Sequence, residues 1–202
     1  MLGRCRWSGA ALPSGEGKTN GEGCLNAPHD AIAEATPWQQ AIHAAFTEAR
    51  IAQVGYVPDA GHTGLIDLCE TDNGIEATVL TTEEEGIGLL AGAWLGGQRG
   101  ALLMQSSGVG NCVNMLGFAQ HCRFPMLILV TMRGEWEEFN PWQEPMGRAT
   151  QAALSLMGVA VRRTDDAEAL PGLVEEALAE TFTRMLPSAV LIGQKLIGAK
   201  KW

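Results

Sequence analysis

Met126-Leu127-Ile128-Leu129-Val130-Thr131, directly behind Pro125, is an unbroken apolar run of strand length. A strand that faces water on one side alternates apolar and polar positions; one without alternation is covered on both faces, as in a parallel sheet between helical layers. Ala101–Gln105 (Ala-Leu-Leu-Met-Gln) reads the same way. Outward from these two, strands are expected at Val54–Val57, Ile75–Leu80, Val159–Arg163 and Ser188–Ile192. Helical patterns fill the gaps. The first opens at Thr36-Pro37-Trp38-Gln39, where Thr36 suits the cap, Pro37 the first helical position and Gln39 the third. Further helices are expected at Gly64–Glu70, Glu83–Gly96, Asn111–Cys122, through Leu154, and over Ala167–Met185. Ser106–Gly110 reads as a tight turn and Met132–Arg148 as a long polar loop. The expectation is an α/β fold: a six-stranded, mostly parallel sheet with helices on both faces, in one domain over residues 36–202. Residues 1–35, with Gly15, Gly17, Gly21 and Gly23 among small polar residues, predict a flexible N-terminal extension.

Composition narrows the function. The 202 residues carry a net charge of −9, with 46% hydrophobic residues. A basic footprint for nucleic acid is absent. No apolar run approaches the roughly 18 residues of a membrane span, and no secretory signal is evident. Five cysteines without CxxC spacing and four scattered histidines suggest neither a disulfide framework nor a metal cage. The reading is a reduced, cytoplasmic protein whose length suits one α/β layer system, where many cofactor enzymes need two.

Parallel sheets bind ligands at the carboxyl ends of their strands, so residues 58–63, 81–86, 105–111 and 131–148 hold the candidates. Glu83-Glu84-Glu85 precede Gly86-x-Gly88-x-x-Ala91, a formal dinucleotide fingerprint, but three carboxylates there repel a pyrophosphate. Thr82 with Glu85 fits a capping box, and acids suit a helix first turn. Alternatively one glutamate turns into a ligand cleft and exchanges a proton with a ring nitrogen; spacing alone favours the cap. Gln105-Ser106-Ser107-Gly108-Val109-Gly110-Asn111 allows close backbone approach but lacks the Lys and Ser/Thr of a P-loop, leaving a plain turn capped by Asn111 as the other reading. Arg133 and Arg148 flank a loop with Trp136, Phe139 and Trp142; guanidinium suits an anionic substrate, and the aromatics either form a lid or fold back on the core. Asp59 and His62 follow a strand end. Cys112 and Cys122 read as buried small apolar residues.

These blocks occur in a recognisable order. Val57-Pro58-Asp59 with Gly64-Leu65-Ile66-Asp67, Glu83 to Gly88 with Ala91-Gly92-Ala93, Met104 to Asn111, and Met132-Arg133-Gly134-Glu135 with Glu138-Phe139-Asn140-Pro141 and Pro145-Met146-Gly147-Arg148 carry it. Over residues 37–195 the chain resembles the pyrimidine-binding (PYR-type) domain of thiamine-diphosphate-dependent decarboxylases, above all those for sulfopyruvate and phosphonopyruvate. The resemblance implies a glutamate that hydrogen-bonds the cofactor's aminopyrimidine and promotes the imino tautomer, which takes the thiazolium C2 proton. Family spacing to a glycine matched by Gly92 selects Glu83. Pro58, Asp59, Gln105, Ser106, Gly108, Gly110 and Asn111 are implied in cofactor binding, and His62 and Arg133 in substrate binding. Ala60 stands where relatives often carry an acid or serine, which leaves any proton relay there to Asp59, to His62 or to a group from elsewhere.

The function implied by the resemblance is that of an alpha subunit of a thiamine-diphosphate-dependent 2-oxoacid decarboxylase, a carboxy-lyase acting on a short anionic substrate of the sulfopyruvate or phosphonopyruvate type. The alternative is a non-catalytic binding or regulatory subunit with the same fold. The family binds magnesium and diphosphate through Gly-Asp-Gly and a downstream Asn, and this sequence has no Gly-Asp-Gly. A beta subunit is expected to bring that motif and to hold most of the Mg2+ contacts, in a hetero-oligomer.

Overall fold

The computed structural model describes residues 35–198. In chain order the elements are α1 (Pro37–Glu48), β1 (Ile51–Tyr56), α2 (Thr63–Thr71), β2 (Glu76–Val79), α3 (Glu83–Leu95), β3 (Arg99–Gln105), α4 (Ser106–Cys122), β4 (Leu127–Thr131), α5 (Glu144–Leu156), β5 (Ala160–Thr164), α6 (Leu170–Arg184), β6 (Ser188–Ile192) and α7 (Gln194–Ile197). The six strands form one sheet in the order β2-β1-β3-β4-β6-β5. Every neighbouring pair is parallel, so the sheet expected to be mostly parallel is wholly so.

The unbroken apolar runs are explained by two cores. Leu127 and Leu129 point into one, with residues of α1, α2 and α6. Ile128 and Val130 point into the other, with residues of α3, α4 and α5. Leu103 and Met104 of β3 divide in the same way, as do Val190 and Leu191 of β6. The strands alternate between faces as any strand does, but each face meets helices. At the start of α1, Gln39 Oε1 accepts the Thr36 N–H at 2.9 Å, the return half of a capping box.

Several expected boundaries move. The turn expected at Ser106–Gly110 is the first part of α4: Gln105 is its extended N-cap (φ −91°, ψ 166°), and Asn111 lies inside the helix. The long loop closes at Asn140, because Pro141 opens a 3-10 turn at Pro141–Gln143 and Pro145 sits in the first turn of α5. Proline costs nothing at such positions, where its missing N–H has no helical partner. α7 was not expected. The capping pattern at α3 slips by one residue: Thr82 accepts the Glu84 N–H, while Glu85 accepts that of Thr81. Cys112 is buried as expected, but Cys122 is exposed near the end of α4. The extension expected over residues 1–35 lies, apart from Ala35, outside the described residues. No described helix is long and apolar enough to cross a membrane.

Candidate active site

The chain leaves β1 for β2 on one side and returns past β1 to β3 on the other. The carboxyl ends of β1 and β3 therefore flank the sheet's switch point, where such folds open a crevice. The start of α3, after β2, and the start of α4, after β3, both lie at this carboxyl edge.

Glu83 is the first residue of α3 and is only 7% exposed, whereas Glu84 and Glu85 face solvent. The capping contacts at this helix are made by Thr82 and Glu85, so Glu83 is not needed for them. Its side chain lies against the first turn of α4. Asn111 Nδ2 donates to Glu83 Oε2 at 2.8 Å. A Cβ placed on Gly108 would stand 2.4 Å from Glu83 Oε1 and 2.5 Å from its Cδ, so the carboxylate occupies space that only glycine leaves. Neighbouring Cys112 is buried, and burial, with the charges of Glu83 and Glu84 in support, pushes its thiol up to about 12. It is a neutral packing group beside the glutamate.

A second cluster joins the ends of β1, β3 and β4. The Thr131 hydroxyl donates to Asp59 Oδ2 at 2.5 Å. His62, fully buried, places Nε2 3.2 Å from the Met104 carbonyl oxygen, so Nε2 carries the proton there. Burial lowers the pKa of His62, against the opposing pull of the Asp59 charge and the Met104 and Leu129 carbonyls, and favours the neutral ring. Gly61 packs on Thr131: a Cβ there would come within 2.7 Å of Thr131 Cγ2. Pro58 is exposed above the cluster.

The third group is a clasp around Glu138. Arg133 Nε and Nη2 donate to its two oxygens at 2.9 and 2.6 Å. The N–H groups of Gly134 and Asn140 and the Gln194 side-chain amide each donate at 2.9 Å. Burial alone would raise this carboxyl, but the Arg133 bond, then the Asn140 and Gly134 N–H groups and Gln194, hold it at about 2. Gln194 Oε1 in turn accepts the N–H groups of Glu135 and Trp136, and Arg163 grips Glu135 through two nitrogens. Ser106 Oγ accepts the Arg133 N–H at 3.0 Å, tying the clasp to the start of α4. Between clasp and α5 opens a cavity of about 570 Å³, lined by Gly134, Trp136, Glu137, Glu144 and Arg148 among others.

Among the expected site residues, the structure brings Glu83, Gly108 and Asn111 together, and Asp59 with His62. Ser106 lies between the α4 start and the clasp, with Gln105 as its half-buried neighbour. Gly110 is turned away from Glu83, with its open side 3.4 Å from Met146 Sδ. Arg133 is 5% exposed and engaged with Glu138. Phe139 and Trp142 are 60% and 65% exposed, and Trp136 is half-buried. Sequence reasoning missed Thr131, Glu138 and Gln194. Only Glu138, five residues after Arg133, carried a local signal, as a nearby opposite charge.

No protein-family model matches the chain. It is 31% identical to the sulfopyruvate decarboxylase subunit alpha of Methanococcus maripaludis over 154 residues, 76% of this chain and 92% of that protein. The corresponding subunit of Methanocaldococcus jannaschii is 32% identical over 152 residues, 75% of this chain and 90% of that protein. A phosphonopyruvate decarboxylase of Streptomyces hygroscopicus is 33% identical over 160 residues, where the match covers 76% of this chain but 39% of the larger protein. Among solved structures, 2-oxoglutarate:ferredoxin oxidoreductase from Magnetococcus marinus shares the fold: TM-score 0.63, 16% identity, 79% of this chain and 29% of that one.

Proposed function

The chain belongs to the family of sulfopyruvate decarboxylase alpha subunits, and from that premise we propose that it is the pyrimidine-side half of a thiamine-diphosphate-dependent 2-oxoacid decarboxylase. Its substrate is a short anionic 2-oxoacid of the sulfopyruvate or phosphonopyruvate type. The observation that carries the reading is the seat of Glu83. Of three consecutive glutamates it alone is buried, resting on Gly108 and bonded by Asn111. Glu83 Oε1 takes no hydrogen bond from any described residue, which leaves one carboxylate oxygen for a ligand ring nitrogen. The donor set thus fits an aminopyrimidine.

When bound, thiamine diphosphate supplies the electron sink for loss of CO2 from the 2-oxoacid. Glu83 binds the ring and holds or releases the proton at its Oε1, which is general acid–base work by a positioned carboxylate. Asp59, fixed by Thr131, and the neutral His62 shape the crevice wall at β1. Pro58 and Gln105 complete the wall around the cofactor, Ser106 ties it to the clasp, and Gly108 leaves the room that the Glu83 carboxylate fills. Arg133 faces the anionic tail: its Nε and Nη2 are held by Glu138, and Nη1 remains as the donor. Because that guanidinium is already charge-balanced, it orients the tail more than it attracts it. Diphosphate and Mg2+ are assigned mainly to a beta subunit with a Gly-Asp-Gly motif; among the described residues no group of three or more His, Cys, Asp or Glu is placed to hold a metal ion. The relatives' designation as subunit alpha supports such a partner.

The test is co-production with the partner subunit and measurement of CO2 release from sulfopyruvate, phosphonopyruvate and pyruvate, with and without thiamine diphosphate and Mg2+. Cofactor-dependent release, fastest from an acid with a sulfonate or phosphonate tail, is the expected result. A pair that binds the cofactor but releases no CO2 from any of the three supports a binding or regulatory subunit instead.

A further inference from the structure

We infer that Asn111 is a positioning residue for Glu83, acting on the carboxylate and not on the cofactor itself; the inference rests on the assignment of Glu83 made above. The two oxygens of a glutamate exchange places through a broad two-fold torsion, so a carboxylate that must present one oxygen in a fixed place needs the other one held. Asn111 Nδ2 holds Oε2 at 2.8 Å. Gly108 and Asn111 are three residues apart on α4 and so share a face of the helix. One removes the Cβ that would collide with Oε1, and the other supplies the hydrogen-bond donor. Together they form one cradle.

The chemistry of the donor matters as much as its place. A lysine or arginine at this position would balance the glutamate's charge and suppress its exchange of a proton with a bound ring. An amide orients the carboxylate without adding a countercharge. The neighbouring Cys112 thiol, pushed up to about 12 by burial, brings no competing charge. The helix-capping needs at α3 are met by Thr82 and Glu85, so the Asn111 bond is not explained as part of a cap. Asn111 is itself solvent-exposed, so its truncation opens no cavity and separates positioning from folding.

The experiment uses the reconstituted pair of subunits carrying Asn111→Ala, Asn111→Ser, Glu83→Gln, or Asn111→Ala with Glu83→Gln. Three quantities are read: kcat and KM for CO2 release, the thermal midpoint, and the rate of deuterium exchange at the thiazolium C2 of bound thiamine diphosphate. Asn111→Ala should lower kcat roughly ten- to hundred-fold, as expected for loss of a hydrogen bond to a charged group, with KM little changed and the thermal midpoint lower by only a few degrees. Deuterium exchange should slow in parallel, and Asn111→Ser, which keeps a hydroxyl donor, should recover part of both. In the Glu83→Gln background, Asn111→Ala should add less than about twofold, since residues acting through one group are not additive. An undiminished kcat and exchange rate in Asn111→Ala overturns the inference. So does an equal further loss in the Glu83→Gln background, which would place Asn111 directly on the cofactor. If Glu83→Gln alone leaves exchange and kcat unchanged, the reading of Glu83 falls and the inference falls with it.

Discussion

Gly108→Ala puts a single methyl group where the structure has room for none. The added Cβ would stand 2.4 Å from Glu83 Oε1, and ordinary contact begins near 3.4 Å, so the carboxylate must withdraw by about 1 Å. The atoms in the way are the end of a side chain and not backbone, so the fold can yield. Alanine in place of glycine improves helix propensity by about 1 kcal/mol. Against that stands loss of the Asn111 bond to a charged group, about 1.5–3 kcal/mol. The net cost is therefore about 0.5–2 kcal/mol, or roughly 1–8 °C in Tm for a chain of this size. Activity should suffer far more, because a misplacement of about 1 Å in a reacting group costs on the order of a hundredfold. The assay pairs CO2 release by the reconstituted subunits with a thermal melt. Gly172→Ala serves as the control, since a Cβ there meets nothing within 4 Å and α6 covers the opposite face of the sheet. Full kcat in Gly108→Ala would refute the reasoning, because the reacting carboxylate would then not depend on this seat.

Other outcomes can be checked on the alpha chain's stability. Arg133→Met leaves the Glu138 carboxylate buried without its guanidinium and should cost about 3–5 kcal/mol in urea unfolding. Glu138→Leu leaves the Gly134 and Asn140 N–H groups and the Gln194 amide unpaired and is itself destabilising, but the double variant should lose less than the sum of the two singles; a loss equal to that sum would contradict the pairing. Glu138 sits at about 2 in the folded chain against the usual 4.5. Its contribution is complete above pH 4.5 and is lost as pH falls toward 2, so Glu138→Gln should flatten the stability profile in that window. Burial lowers the His62 pKa below the usual 6.5, so the unfolded chain takes up the proton first. Stability from this site is present above pH 6.5 and declines below it, by at most about 1.4 kcal/mol per pH unit for one proton. His62→Asn should remove that slope, and an unchanged acid limb would show that His62 is not its source.

The sheet was legible because its signal is local. The runs at 101–105 and 126–131 need burial on both faces, and only helical layers provide it. The start of α1 was legible for the same kind of reason, since Pro37 and Gln39 act within one turn. The start of α4 was not. Ser106-Ser107-Gly108-Val109-Gly110 has the propensities of a turn, yet it is helical because its missing side chains make room for Glu83 at Gly108 and lie beside Met146 at Gly110. Tertiary contact overrides propensity there, and the glycines that weaken the helix locally are the ones the site uses. Glu83 could not be told from Glu84 and Glu85 by local pattern; resemblance to a family selected it, and it is the one of the three that is buried. The closure of the clasp was invisible because Gln194 reaches Glu138 from 56 positions later, and no window along the chain contains both, whereas Arg133, Gly134 and Asn140 lie beside Glu138 in sequence.

The most direct measurement is the kcat for CO2 release by the reconstituted pair with Glu83→Gln, in saturating thiamine diphosphate and Mg2+. Glutamine keeps the shape and the Asn111 contact but cannot exchange a proton. The expected result is a fall of about 10²–10⁴-fold with cofactor affinity within an order of magnitude, as for loss of a general acid–base group. A Glu83→Gln pair that decarboxylates at the unsubstituted rate would contradict the assignment of this carboxylate to the chemistry.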